Sequence, residues 1–174
     1  MDAAAHYRQL VQLGREEFLA AAAPAALVRY RAEPTADVVS GVTTLSLDDD
    51  IEATMPSGRD WGLSPTDDVD LEVYPLTKKP QASFPDRITI GRTGNNDIVI
   101  ADSSVSRLHA YVRREATGAW VVADAGSKNG SWLRGQVLDA RREKPLASRA
   151  LLKLGEIELT FFLANDLFAA LGGT

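Results

Sequence analysis

The chain has 174 residues, 45% hydrophobic and 25% charged, enough for one domain of ordinary size with an appendage and too few for two full domains. It holds no cysteine, which excludes disulfides, thiolate metal sites and cysteine nucleophiles, and two histidines, His6 and His109, leave little for a zinc site. Formal net charge is −5, unevenly spread: residues 1–86 carry 7 Lys and Arg against 15 Asp and Glu, while residues 87–174 carry 12 against 9, a mildly basic half suited to an anionic ligand but too weakly charged for nucleic acid.

No apolar run approaches the ~18 residues of a membrane span, so no membrane segment is expected. The start carries Asp2 and no early Lys or Arg, and the apolar "FLAAAAPAALV" comes late and is broken by Pro24. That pattern argues against a secretory signal and makes the cytoplasm the expected location. Tyr7, Leu10, Val11, Gly14 and Phe18 recur at helical spacing and predict one amphipathic helix over 3–22, ended near Pro24. Its polar face is not strongly basic, so its apolar face is expected against this chain or against a second copy, not against lipid. The β-like pieces "ALVRYR" and "VVSGVTTLSL" suggest a hairpin. Residues 1–47 thus read as a small N-terminal α/β segment. Residues 48–70, "DDDIEATMPSGRDWGLSPTDDVD", read as an acidic flexible linker, too rich in Asp, Pro, Ser and Gly to bury much apolar surface.

From Leu71 onward short strands alternate with Gly, Asn and Asp turns: "LEVYPL", "RITIGR", "DIVI", "RLHAYVRRE", "AWVVAD", "SWLRGQVL" and "RALLKLGEIELTFFLA". With no long helical stretch between them, they predict an all-β sandwich. In the last piece Ile157, Leu159, Phe161 and Leu163 alternate with Glu158, Thr160 and Phe162 after a Gly155-Glu156 turn, the period of a strand. A short C-terminal helix and tail, 165–174, is expected to be capped by Asn165 or Asp166 and stopped by the two glycines of "DLFAALGG".

The stretch "DSSVSRLHAYV" places Ser106 three residues before His109, which raises a nucleophile and its base. No G-x-S-x-G elbow is present, and residues three apart in an extended segment point to opposite faces, so no catalysis is expected. Three pieces fit another chemistry: "TIGRTGNNDIVI", "SVSRLHA" and "DAGSKNGSWLRGQ" each run from a strand end into a turn rich in donors. Arg92 offers a fork of N–H groups, Ser106 a hydroxyl, Lys128 a point charge, and Asn129 both donors and an acceptor. Converging at one rim of a sandwich, they would receive a phosphate. Singly, a strand-end arginine is a solvated surface residue and Asn-Gly a hairpin turn; the combination carries the weight.

Gly91-Arg92, Asn96 to Ile98, Ser106-Arg107-Leu108-His109, and Asp124 through Asn129-Gly130, in that order, resemble the forkhead-associated (FHA) family over residues 71–164. The resemblance implies an FHA-like β-sandwich of about eleven strands that binds phosphothreonine peptides at its loop tips, without catalysis and without a cofactor. It places Arg92 and Ser106 on the phosphate, Arg107 on the phosphate or ligand backbone, and Asn129 on the peptide main chain. It makes His109 a brace between loops, with Gly91 and Gly130 where turns need special backbone angles or close approach. Two positions depart from the family pattern: Lys128 stands where many members have threonine, and Ser104 where a basic residue is common. The implied partner is a phosphothreonine-containing protein, a Ser/Thr kinase or its substrate, read by an adaptor, with self-association through the N-terminal helix as a further expectation. The competing expectation is a structural FHA-like scaffold that joins an assembly through its sheet face or N-terminal helix, independent of phosphate.

Overall fold

Alternating apolar residues build two stacked sheets. The computed structural model describes residues 2–31, 70–80 and 84–174. One sheet has six strands in the order β2-β1-β11-β10-β7-β8, with β1 Ala25–Arg31, β2 Asp70–Pro75, β7 Ser131–Leu133, β8 Gln136–Val137, β10 Leu151–Leu154 and β11 Ile157–Leu163. The other has five in the order β4-β3-β5-β6-β9, with β3 Ile88–Gly91, β4 Ile98–Val99, β5 Ala110–Arg114, β6 Trp120–Asp124 and β9 Lys144–Leu146. Pairing is antiparallel except between β3 and β4. The expected β-sandwich is therefore observed, with eleven strands among the described residues. Its core lies between the sheets, where Leu27, Ile90, Val112, Val122, Leu159 and Phe161 are buried, and the rings of Trp120 and Phe161 lie 5.8 Å apart.

A second core covers the outer face of the six-stranded sheet. Helices α1 Ala3–Leu13, α2 Arg15–Ala21 and α3 Ala164–Ala170 lay Tyr7, Leu10, Phe18, Leu167 and Phe168 on Val28, Val73 and Phe162. Phe18 sits at the centre, its ring 5.8 Å from Tyr7 and 5.3 Å from Phe168. Each such ring stabilises by roughly 1.5–3 kcal/mol through burial. Phe162, on the polar side of the β11 alternation by sequence, is buried because this layer covers it.

The N-terminal expectations need correction. The single helix over 3–22 is two helices, broken at Gly14, whose φ of 107° is open to glycine and strained for other residues. The break lets α2 turn and seat Phe18. Strand β1 is not half of a hairpin with residues 38–47, since its neighbours are β2 and β11. Strand β1 of the N-terminal α/β segment lies inside the six-stranded sheet, so residues 2–31 and 70–174 share their cores. The apolar face of α1, Ala4, Tyr7 and Leu10, packs on this chain, while Leu13 at its end stays exposed. Residues 38–47 and the acidic linker up to residue 69 lie outside the described residues.

Helix α3 starts at Ala164 with Leu163 as its N-cap and no side-chain cap bond. Strand β11 runs straight into it. The expected caps act elsewhere: Asn165 Oδ1 accepts from Arg15 Nη2 at 3.0 Å, and Asp166 faces Arg149 at 3.7 Å.

Candidate functional site

Three loops, 92–97, 100–109 and 125–130, meet the β10–β11 turn at one rim of the sandwich. Their closure begins at Gly91. A Cβ there would lie 2.1 Å from the Arg107 carbonyl oxygen and 2.6 Å from Asn96 Nδ2, so only glycine lets the first loop touch the second. Asn96, buried, fastens that contact by donating Nδ2 to Arg107 O at 2.6 Å and to Thr93 O at 2.9 Å. Asp97 accepts from Thr89 N at 2.9 Å, Lys79 N at 2.8 Å and Lys78 Nζ at 3.0 Å. Burial pushes its carboxyl pKa up, yet these donors hold it below the usual carboxylate range. Both residues lie in the quoted motif, but its spacing alone assigned neither a task.

The second loop is built on Asp102, whose Oδ1 accepts from Ser104 N at 2.9 Å and Ser104 Oγ at 2.7 Å. Ser104 Oγ in turn accepts from Glu156 N at 3.0 Å, and a Cβ on Gly155 would fall 2.3 Å from Ser104 O. Where the family often carries a cation, this chain thus has a buried serine that ties two loops together.

His109 is fully buried and ties the second loop to the third. Its Nδ1 accepts from Ser106 N at 2.9 Å, which requires the ring proton on Nε2, and Nε2 donates to Gly130 O at 2.9 Å. Burial pulls its pKa below the usual histidine value, against the opposing pull of the Gly130 carbonyl and the Asp124 charge. Ser106 Oγ accepts from Lys128 N at 3.0 Å. Both ring nitrogens are thus occupied by main-chain groups, and the serine–histidine pair lacks the contact of a nucleophile with its base.

The third loop wraps around Asp124, which accepts from Gly126 N at 2.8 Å, Ser127 N at 2.9 Å and the hydroxyls of Ser127 and Ser131. Burial raises this carboxyl, and the four donors outweigh it, leaving its pKa lowered. Gly130 follows with φ 87°, a true left-handed position, whereas Gly91 is required by close approach.

An open groove of about 880 Å³ lies over the three loops and gathers Arg92, Ser106, Arg107, Lys128 and Asn129, every ligand-contacting residue expected from sequence. Among the described residues no carboxylate lines it. Arg92 is exposed; its Nε donates to Val105 O at 3.0 Å, which aims the guanidinium and leaves both Nη groups without a partner among the described residues. Asn129 Nδ2 donates to Ser104 O at 2.8 Å, leaving its Oδ1 free to accept. Arg107 and Lys128 are exposed and unpaired among the described residues. Such a groove can hold a multiply charged anion beside an extended backbone. Among the described residues no group of three His, Asp or Glu side chains could hold a metal ion, and no helix is long and apolar enough to cross a membrane.

The chain has partial matches among known proteins. The chain is 36% identical over 82 residues to the FHA domain-containing protein At4g14490 of Arabidopsis thaliana, covering 45% of this chain and 21% of that one. It is 36% identical over 73 residues to the oxoglutarate dehydrogenase inhibitor of Corynebacterium diphtheriae, covering 42% and 48%. The matches thus span about a fifth and about half the length of these curated relatives. Mycobacterium tuberculosis EmbR, solved in complex with a low affinity phosphopeptide, is similar at 26% identity and a TM-score of 0.44, over 53% of this chain and 22% of that one. The family model of the FHA domain matches residues 88–155, from β3 through the turn that holds Ser104, and this part of the chain is an FHA domain.

Proposed function

We propose that the groove binds phosphothreonine peptides and that the protein is a non-catalytic adaptor, reading the product of a Ser/Thr kinase. One observation carries this: Arg92, Arg107 and Lys128 converge with the Ser106 hydroxyl on a groove that, among the described residues, no carboxylate lines. A phosphorylated threonine brings about −1.5 to −2 charge and three acceptor oxygens, which match these donors. Charge-assisted bonds are worth about 1.5–3 kcal/mol each before desolvation and ordering costs. The free Oδ1 of Asn129 suits a peptide N–H next to the phosphothreonine. Lys128 supplies a mobile cation where many relatives use a hydroxyl. Val105, nearly fully buried at the groove floor, offers a surface for the threonine methyl, a contact worth about 1–3 kcal/mol against serine.

Calorimetry with one peptide in phosphothreonine, phosphoserine and unphosphorylated forms tests the reading. Binding is expected for the first, about tenfold weaker for the second and absent for the third. Equal affinity for the phosphorylated and plain forms would overturn it.

A phosphate-independent scaffold is the second reading. One observation favours its sheet face: Val137 and Leu151 are 63% and 43% exposed beside Trp132 on the part of the six-stranded sheet that the helices leave open.

A further inference from the structure

Asn129-Gly130 is the one Asn-Gly step in the chain, and its asparagine lines the groove. An asparagine side-chain carbonyl carbon is open to attack by the backbone nitrogen of the next residue, and glycine, with no Cβ, leaves that approach unshielded. Asn129 is exposed to water. Ring closure needs the Gly130 N–H free and the Asn129 amide free to swing onto it, and the fold holds both. Gly130 N donates to Ser127 Oγ at 3.0 Å, and that hydroxyl donates in turn to Asp124 Oδ2. Asn129 Nδ2 donates to Ser104 O at 2.8 Å. Gly130 O is fixed as well, accepting from His109 Nε2 at 2.9 Å and from Gly155 N at 3.0 Å. The other three asparagines are each followed by a residue with a side chain: Asn95 by Asn96, Asn96 by Asp97, and Asn165 by Asp166 within α3.

We propose that Asn129 is a deamidation site restrained by Ser127, so that the groove carries a slow, irreversible off-switch for its ligand. The site stands on the bonds of its own loop, whereas the switch rests on the phosphopeptide reading. Gly130 N attacks Asn129 Cγ: an N–Cγ bond forms, the Cγ–Nδ2 bond breaks, and Nδ2 leaves as ammonia with the proton lost by Gly130 N. Water then opens the five-membered imide at either carbonyl, leaving aspartate or isoaspartate at this position. Either product puts a carboxylate into the groove that Arg92, Arg107 and Lys128 line, where among the described residues none stands. It cannot donate to Ser104 O as the amide does, and it meets the phosphate as a like charge, so affinity falls at least about tenfold. Isoaspartate also lengthens the main chain by a carbon, which disturbs the bond of Lys128 N to Ser106 Oγ.

The test ages the full chain, Ser127→Ala and Ser131→Ala in mildly alkaline buffer and follows each asparagine by mass-spectrometric peptide mapping. Ser127 and Ser131 each donate a hydroxyl to Asp124 Oδ2, but it is Ser127 that takes the Gly130 N–H. Ser127→Ala is expected to deamidate at Asn129 about two- to tenfold faster than the parent, the effect of one freed hydrogen bond, and Ser131→Ala at the parent's rate. Equal rates in the two variants would overturn the restraint. The parent unfolded in urea serves should a variant fail to fold: there Asn129 should be the fastest of the four asparagines, and faster than in the folded chain. Uniform rates among the four, or no slowing by the fold, would overturn the site. The aged parent is then split by ion exchange, and its fractions are titrated with a phosphothreonine peptide that binds the fresh chain. The deamidated fraction should bind at least about tenfold more weakly, and equal affinity would overturn the switch. If the fresh chain bound no phosphothreonine peptide, the phosphopeptide reading would fall and the switch with it, while the rates at Asn129 would still decide the site.

Discussion

His109 Nδ1 accepts the backbone N–H of Ser106 at 2.9 Å, so the residue that presents the groove hydroxyl is held by a neutral, fully buried ring. Protonating Nδ1 would break that bond and bury a charge. The folded pKa lies below the usual histidine value of about 6.5, so the unfolded chain binds the proton more readily. Stability is therefore full above about pH 6.5 and falls as pH drops towards and through the folded pKa. Urea unfolding between pH 7.5 and about pH 5 is expected to show this loss, well above the range where Asp97 and Asp124 take up protons. In His109→Gln, less stable at every pH, the slope in this window should flatten. Parallel slopes for the two proteins would show that His109 does not carry the effect.

Arg92→Ala should separate binding from folding. Among the described residues its guanidinium is held only through Nε to the Val105 carbonyl, and the side chain is exposed. Losing one charge-assisted contact predicts affinity for a phosphothreonine peptide about 10- to 150-fold weaker. The change in unfolding free energy should stay within about 1 kcal/mol. A variant that binds as tightly as the parent would remove Arg92 from the site.

Gly91 and Gly94 offer a matched pair. A Cβ at Gly91 meets the Arg107 carbonyl at 2.1 Å, whereas one at Gly94 meets nothing within 4 Å. Gly91→Ala must therefore push the 100–109 loop away and strain the Asn96 contact. A loss of about 1–3 kcal/mol or more is expected, with weaker phosphopeptide binding. Gly94→Ala should stay within about 0.5 kcal/mol and bind normally. Thermal melts and one titration of each variant decide the matter, and equal effects would mean that the loop closure at Gly91 is not required.

The site was legible in the sequence to the extent that its bonds are local. Arg92, Ser106, Lys128 and Asn129 lie in turns whose Gly, Asn and Ser content states the chemistry, and His109 reads as a brace from its place in the motif. Ser104 was not legible, because its partner is the main chain of Glu156, a long-range contact with no side-chain signature. Nor was the place of β1. Periodicity tells which face of a strand is apolar, not which strand lies beside it, and β1 pairs across residues 32–69. Two signals for the helical layer were present: Phe162 breaks the polar side of the β11 alternation, and Gly14 interrupts the apolar stripe of the helix.

The pairing of β1 and β2 yields a last prediction, on how the two halves of the chain depend on each other. Arg31 and Asp70 are Cα partners at the end of this antiparallel pair, so the strands can be joined there by a tight turn. Replacing residues 32–69 with Asn-Gly should preserve both cores, and shortening the connection lowers its closure entropy, by about 0.6 kcal/mol for each halving of loop length. The melting temperature is expected to hold or rise, with phosphopeptide affinity intact. Removing residues 1–70 does the opposite. It deletes β1 from between β2 and β11 and uncovers Val73, Phe162 and Phe168, and Phe18→Ala alone should cost about 3–5 kcal/mol through the cavity it leaves. A chain starting at residue 71 is thus expected to lose cooperative unfolding and near-ultraviolet circular dichroism even though it contains the entire groove. A cooperatively folded 71–174 fragment that bound phosphopeptide would show that the helical layer and β1 are accessories to the sandwich, and an unfolded Asn-Gly variant would show that residues 32–69 are needed to hold it together.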